Sequence, residues 1–179
     1  MDVMEAIRTR SSIRMFKTDP VSDSDMNVLL EAIQRCQSWA NTQCWEVILV
    51  KDAGTKEKLK EIMSKGNPAG KGWMDAPVIV VFCGRNKASG YYRDQVTTNK
   101  GDWFMFDVGL AVENFCLVAH SLGLGTVTVG LFDAEAAEKI LGVPEGYSVV
   151  SMNPLGYPDQ PFRSPKRKEV ADFVHYEKF

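Results

Sequence analysis

Near the start of the chain stands Arg10-Ser11-Ser12-Ile13-Arg14. Guanidinium forks take phosphate oxygens in pairs, and hydroxyls suit polyols. The set therefore fits a terminal phosphate with an adjoining polyol chain. A second basic group, Lys166-Arg167-Lys168, lies near the end. Taken alone, a solvated helix end with surface arginines is the stronger reading of the first cluster, because short motifs are weakly specific. Asn41, Thr42 and Gln43 stand between Trp39 and Trp45. Amides beside aromatics can read the edge of a planar heterocycle, since they offer donors and acceptors together. A polar turn anchored by two tryptophans is the plain alternative.

Other chemistries fail on spacing. Gly123-Leu-Gly125-Thr-Val-Thr128 lacks the third glycine of a dinucleotide fingerprint, and it runs from helix to strand, the wrong way round. Gly66–Gly72 has one residue too few for a P-loop, and a glycine where Ser or Thr must follow Lys71. Only His120 and His175 are available as imidazole bases, and no nucleophile triad is apparent. Cys36, Cys44, Cys83 and Cys116 have no metal-knuckle spacing; they read as small buried hydrophobes, with no metal site. A chain without the kit for hydrolysis, if an enzyme, calls for a cofactor that carries the chemistry.

The elements that would position these residues follow from apolar periodicity. Helices are predicted over 2–9, from a cap at Ser22 or Ser24 to about Cys36, over 55–64, from Trp103 to about Leu122, and over 133–141 with Asp133 as N-cap. Short apolar runs at Val47–Val50, Pro77–Cys83, Thr126–Val129 and Tyr147–Leu155 read as strands. Residues 85–101 are polar and aperiodic, a candidate variable insert. The 103–122 helix is apolar nearly all round, which suits a central or subunit-interface position. The tail from Gly156 to Phe179 is Pro-interrupted but too apolar to hang free, and reads as an arm that pairs with something.

Length and charge agree with a single domain over 1–179, of α/β or α+β class. A net charge of −2 and a pI of about 5.7 argue against nucleic acid as main partner. No run of about 18 uninterrupted apolar residues predicts a membrane span. No secretory leader is expected, which fits a cytoplasmic, reducing location.

Taken in order, these segments resemble the FMN-dependent nitroreductase family. The residues that carry the resemblance begin with Ala6-Ile7-x-x-Arg10-x-Ser12-Ile13-Arg14-x-Phe16 and Asn41-Thr42-Gln43-x-Trp45. Asp107-x-Gly109-x-Ala111-x-x-Asn114, Leu122-Gly-Leu-Gly125, Gly130-x-Phe132, Leu141-Gly-Val-Pro-Glu-Gly-Tyr147 and Pro154-Leu-Gly-Tyr-Pro158 follow. Each motif is weak; their ordered set is strong.

The resemblance implies a nitroreductase-like α+β (α/β three-layer) fold, with a mainly antiparallel central sheet flanked by helices. It implies a homodimer whose C-terminal arms are exchanged. It assigns Arg10, Ser11, Ser12 and Arg14 to the FMN phosphate and ribityl chain, with Arg167 and Lys168 as further phosphate-binding residues. Ser38, Trp39, Asn41 and Gln43 match a loop that reaches the flavin of the other subunit. Gly130 and Leu131 match a strand end near flavin N5. Asn67 and Lys71 are candidates for the pyrimidine edge. The activity implied is ping-pong transfer from NADH or NADPH to nitroaromatic, quinone or similar acceptors, with the flavin and no catalytic side chain doing the chemistry. A specialised reductase, a flavin-modifying enzyme with residues 85–103 as lid, a redox module with little turnover and a cofactor-free domain are the rivals. Trp39, Cys44 and Leu131 depart from the family pattern, which bears on what fits over the ring.

Overall fold

A computed structural model describes residues 1–163 and 165–179. Helices α1 (Val3–Thr9), α2 (Asp23–Gln34), α3 (Ala53–Glu61), α4 (Phe104–Ser121) and α5 (Ala134–Leu141) alternate with strands β1 (Trp45–Val50), β2 (Val78–Arg85), β3 (Tyr91–Tyr92), β4 (Gln95–Val96), β5 (Gly125–Thr126) and β6 (Tyr147–Gly156). Helix starts are marked by side-chain caps. Asp2, Ser22, Asp52 and Asp133 each accept a hydrogen bond from the amide three residues on, satisfying a donor that no carbonyl can reach. After α4, Gly123 takes φ +79° while the Leu124 amide folds back to the Ala119 carbonyl.

The main sheet runs β1-β2-β6-β5, every pairing antiparallel. Strand β2 is buried on both faces, hence its unbroken apolar run. Its odd residues Ile79, Val81 and Cys83 pack with Leu59, Met63, Trp73 and Ala137 on the α3/α5 side. Its even residues Val78, Val80 and Phe82 pack with Leu29, Ile33, Val108, Ala111 and Phe115 of α2 and α4. The result is three layers, the expected architecture. By length and apolarity α4 could cross a membrane, but Val108, Ala111 and Phe115 face the core and make it a core helix.

Two departures from the expected elements matter. The strand predicted over Thr126–Val129 pairs only at Gly125–Thr126, then leaves β6 and touches it again at Val129 opposite Met152. The insert at 85–101 contains the β3–β4 hairpin, turned through Arg93 and Asp94 at φ 49° and 61°.

Residues 11–17 cover the outer edge of β5. Ser12 bridges Thr126, and the Ile13 amide donates to the Thr126 carbonyl at 2.9 Å. This edge closes because Gly125 has no side chain: a Cβ there would lie 2.7 Å from Ile13 Cβ. On the other side a Cβ at Gly72 would run into the Arg14 carbonyl oxygen and lie 2.9 Å from Met15 Cα. The Gly72 loop is fixed from behind. Buried Lys56 donates to the Met74 and Ala76 carbonyls at 3.0 and 2.9 Å, and Trp73 Nε1 donates to the Lys56 carbonyl at 2.8 Å. Gly125→Ala should lower stability by about 1–3 kcal/mol, as overpacking does. Gly130→Ala, where an added Cβ meets nothing within 4 Å, should change stability little. Urea midpoints compare the two.

Candidate functional site

The N-terminal basic segment sits in a cradle of backbone contacts. The chain after β6 runs antiparallel along it: Lys17 donates to the Tyr157 carbonyl, Asp159 to the Met15 carbonyl, and Phe16 bridges Pro158. Gln160 Oε1 accepts from both the Arg14 and Met15 amides, at 3.0 and 3.1 Å. Ser11 is buried, and its Oγ accepts from the Arg163 amide at 3.0 Å. The backbone of 11–17 is thus held on three sides, while Arg10 and Arg14 remain partly exposed. Among the described residues the single ion pair joins Arg35 to Glu31. No carboxylate in that set therefore forms an ion pair with Arg10, Arg14, Lys71 or Arg163, as suits a cradle for an anion.

The loop from Ser64 to Gly72 links this segment to the Gly130–Leu131 turn. The Ser64 amide donates to the Leu131 carbonyl at 3.3 Å, and Met63 bridges Phe132. At its far end Gly72 touches Arg14. Asn67 and Lys71 lie between, lining a cavity of about 510 Å³ together with Met63, Ser64 and Pro68. Asn67 Oδ1 caps the short helix Pro68–Gly70 by accepting from the Ala69 amide. Leu131 is 66% exposed, a large apolar side chain standing clear of the core. Arg167 and Lys168 are exposed on the arm, with no described contact to the cradle.

The other expected half of the site lies elsewhere. The Ser38–Cys44 loop leads into β1, where Trp45 faces Gly84; the cradle lies where Val78 faces Leu155 and Leu155 faces Thr126. Six residues of strand separate the two levels, roughly 20 Å at 3.3 Å per residue. The structure therefore unites Arg10–Arg14, Asn67, Lys71 and Gly130–Leu131, and separates them from Ser38, Trp39, Asn41 and Gln43 of the same chain.

The distant loop is rigid. Ala40, Asn41 and Gln43 all take positive φ (43°, 57°, 47°), a costly set for residues other than glycine. What holds them is Asp107, 1% exposed on α4. Its carboxylate accepts from the Trp39 amide at 3.1 Å, from Ser89 Oγ at 2.5 Å and from Cys44 Sγ at 3.7 Å. Thr42 Oγ1 contacts Ser89 Oγ at 2.7 Å, and Ser38 Oγ accepts from the Gln43 amide. Sequence reasoning gives Asp107 no role, yet an acid in so apolar a helix is a signal: a buried carboxylate needs donors, and these must come from a neighbouring loop.

His120, on the same helix, is the second polar residue held by a distant segment. It is buried, with Phe162 at 4.5 Å between ring centroids. Thr9 Oγ1 donates its one proton to the Glu5 carbonyl, so His120 Nε2, 2.7 Å away, must donate to Thr9. Nδ1 is then a buried acceptor with no partner among the described residues. Burial, and then the charge of Arg10, push this imidazole below its usual range, with Glu5 opposing. The four cysteines are buried and unpaired. Burial raises each thiol, Cys83 to about 11, so none is poised as a nucleophile.

A neutral His120 favours the folded state above the unfolded imidazole range. Stability should fall as pH drops through about 6.5 towards the lower folded value. His120→Gln should flatten this fall, measured as the urea midpoint between about pH 7.5 and pH 5. Asp107→Asn should lower the thermal midpoint and raise protease cleavage at 38–44, because an amide places a donor where only acceptors fit.

Comparison with known proteins adds to this geometry. The nitroreductase family model matches residues 7–75 and 64–157. An Archaeoglobus fulgidus protein, provisionally named an NADH dehydrogenase/NAD(P)H nitroreductase, is 33% identical over 184 residues, covering 99% of both chains. An FMN reductase [NAD(P)H] of Bacillus subtilis is 28% identical, over 95% of this chain and 72% of its own. The crystal structure of a Vibrio harveyi NADPH:FMN oxidoreductase complexed with NAD+ superposes with a TM-score of 0.82 at 26% identity, covering 99% of this chain and 77% of that one. With a family model spanning most of its length and a full-length relative at this identity, the chain belongs to the nitroreductase family.

Proposed function

We propose that residues 1–179 form one FMN-binding domain of an NAD(P)H-dependent oxidoreductase, working as a cytoplasmic homodimer with two shared sites. The observation that carries the reading is the cradle at 11–17. Its backbone is immobilised by Gly72, Gly125 and Gln160, while the guanidinium groups of Arg10 and Arg14 are left without a carboxylate. Such a rigid, cationic, partly open segment fits a terminal phosphate. The Bacillus subtilis and Vibrio harveyi relatives bear FMN in their names, which supports the same choice of ligand.

Arg10 and Arg14, with Arg167 and Lys168 of the arm, would hold the phosphate. Ser12 would hold the ribityl chain, with Ser11 fixed behind it by the Arg163 amide. Asn67 and Lys71 would hold the pyrimidine edge, where positive charge and donors favour added electron density. Gly130 and Leu131 would border the N5 side. Bound FMN supplies hydride acceptance from NADH or NADPH and onward electron transfer; the protein binds, orients and excludes water. We read the order as ping-pong, with nitroaromatic, quinone or similar acceptors following the nicotinamide on one ring face.

The separation of roughly 20 Å between the cradle and the Ser38–Gln43 loop supports the dimer. Two copies, each lending its loop to the other's cradle, complete both sites. The chain has surface to join. α1 exposes Val3, Met4 and Ile7 beside an apolar groove between α1, α2 and α4. The arm exposes Val170, Phe173, Tyr176 and Phe179, and the edge of β5 is covered while the outer edge of β1 pairs with no described strand. An arm exchanged onto the partner's β1 would bury both.

Purified protein should be yellow with a flavin spectrum and should bleach anaerobically with NADH or NADPH; a colourless chain that takes up no added FMN sinks the reading. Arg14→Ala should weaken FMN binding about tenfold to a hundredfold, the worth of a charge-assisted phosphate contact, by fluorescence titration of the apoprotein.

A further inference from the structure

The end of the molecule that carries the Ser38–Gln43 loop also carries an aromatic ladder. Trp39 and Trp103 lie 5.0 Å apart between ring centroids, and Trp103 and Phe106 lie 5.1 Å apart. Phe106 and its neighbour Met105 are each 56% exposed, although both sit on helix α4, whose Val108, Ala111 and Phe115 face the core. The ladder is fixed to the loop: the Trp103 amide donates to the Ser89 carbonyl, and Ser89 Oγ joins Thr42 to Asp107. Ser89 therefore ties together the 38–44 loop, the 85–103 segment and the start of α4.

The 85–103 segment is cationic. Residues 85–103 hold Arg85, Lys87, Arg93 and Lys100 against Asp94 and Asp102, in a chain whose net charge is −2. Asp102 is occupied, accepting from the Lys87 and Phe104 amides. Lys100 Nζ stands 5.8 Å from the Trp103 ring centroid, and Arg93 lies 5.2 Å from that of Tyr92. Both cations are exposed, and each lies over an aromatic ring. A ring packed against exposed Phe106, beside Trp103, would cover its apolar face and could bring a negative substituent to Lys100.

We propose that Trp39, Trp103 and Phe106 are the aromatic wall of the acceptor site, and that Lys100, with Arg93 beside it, makes this protein select planar aromatic acceptors that carry a carboxylate. The inference rests on the shared flavin site proposed above, in which these segments stand over the partner's cradle. Trp39, a departure from the family pattern, then acquires a purpose: it braces Trp103.

The test titrates the oxidised holoenzyme with para-nitrobenzoate and with neutral para-nitrobenzyl alcohol, reading the perturbation of the flavin absorbance without nicotinamide. The carboxylate should bind more tightly, and added salt should weaken it alone. Lys100→Gln should weaken the carboxylate about threefold to fivefold and leave the alcohol unchanged, while Lys100→Glu weakens it further. Trp103→Leu should weaken both ligands by roughly fivefold to tenfold. Equal binding of the two ligands, or indifference to Lys100→Gln, overturns the inference. So does a Lys100→Gln effect confined to the adenosine bisphosphate fragment of NADPH, which assigns the lysine to the nucleotide instead. A chain that holds no FMN fails the proposed function and takes this inference with it; a flavin-loaded chain without charge discrimination overturns this inference alone.

Discussion

The contact of Gly125 with Ile13 is the constraint on which the rest depends. Strand β5 has only two residues, too few to hold an edge by its own ladder. It persists because the 11–17 segment lies against it, and that approach is open only where residue 125 lacks a side chain. Once Ile13 is seated, the Arg14 carbonyl meets Gly72, and the path of the chain on either side is set. The chain leaving β6 then has a partner for Tyr157, Asp159 and Gln160. A local steric allowance thus becomes the alignment of four segments that are far apart in sequence.

The two ends of the sheet use different means. At the cradle, backbone groups and a side-chain amide do the holding, which leaves the cations unengaged. At the distant loop a buried carboxylate does it, accepting from an amide, a hydroxyl and a thiol. The choice fits the task. A carboxylate near Arg10 or Arg14 would compete with any phosphate. Asp107, roughly 20 Å of strand away from that end, compensates three left-handed residues without that penalty.

Much of the fold was legible because burial leaves periodic traces. The stripe of α2 and the continuous apolar run of β2 mark their elements, and Ser22 and Asp133 mark helix starts. The shortness of β5 was not legible, since Val127 and Val129 are buried whether or not they pair with β6. Nor was the path of 157–163, whose contacts are mostly backbone groups and one glutamine amide; its prolines suggested an interrupted tail. The cradle residues could be named from their order along the chain. Their division between two subunits came from the resemblance alone, because spacing in sequence does not measure distance across a sheet. Asp107 and His120 were visible as polar residues in an apolar helix, but their partners come from Trp39, Ser89 and Thr9, which no local pattern connects to them.

The four buried thiols have a practical meaning of their own. Cys36 follows α2, Cys44 precedes β1, Cys83 lies within β2 and Cys116 within α4, so each belongs to a different segment of the chain. A protonated, inaccessible thiol is inert to alkylating and oxidising agents. Each becomes reactive only when its own element opens. The native chain therefore carries four intrinsic clocks of local unfolding, whose separate labelling rates would distinguish loosening at the Asp107 loop from collapse of the central strand, with no probe added and no residue replaced.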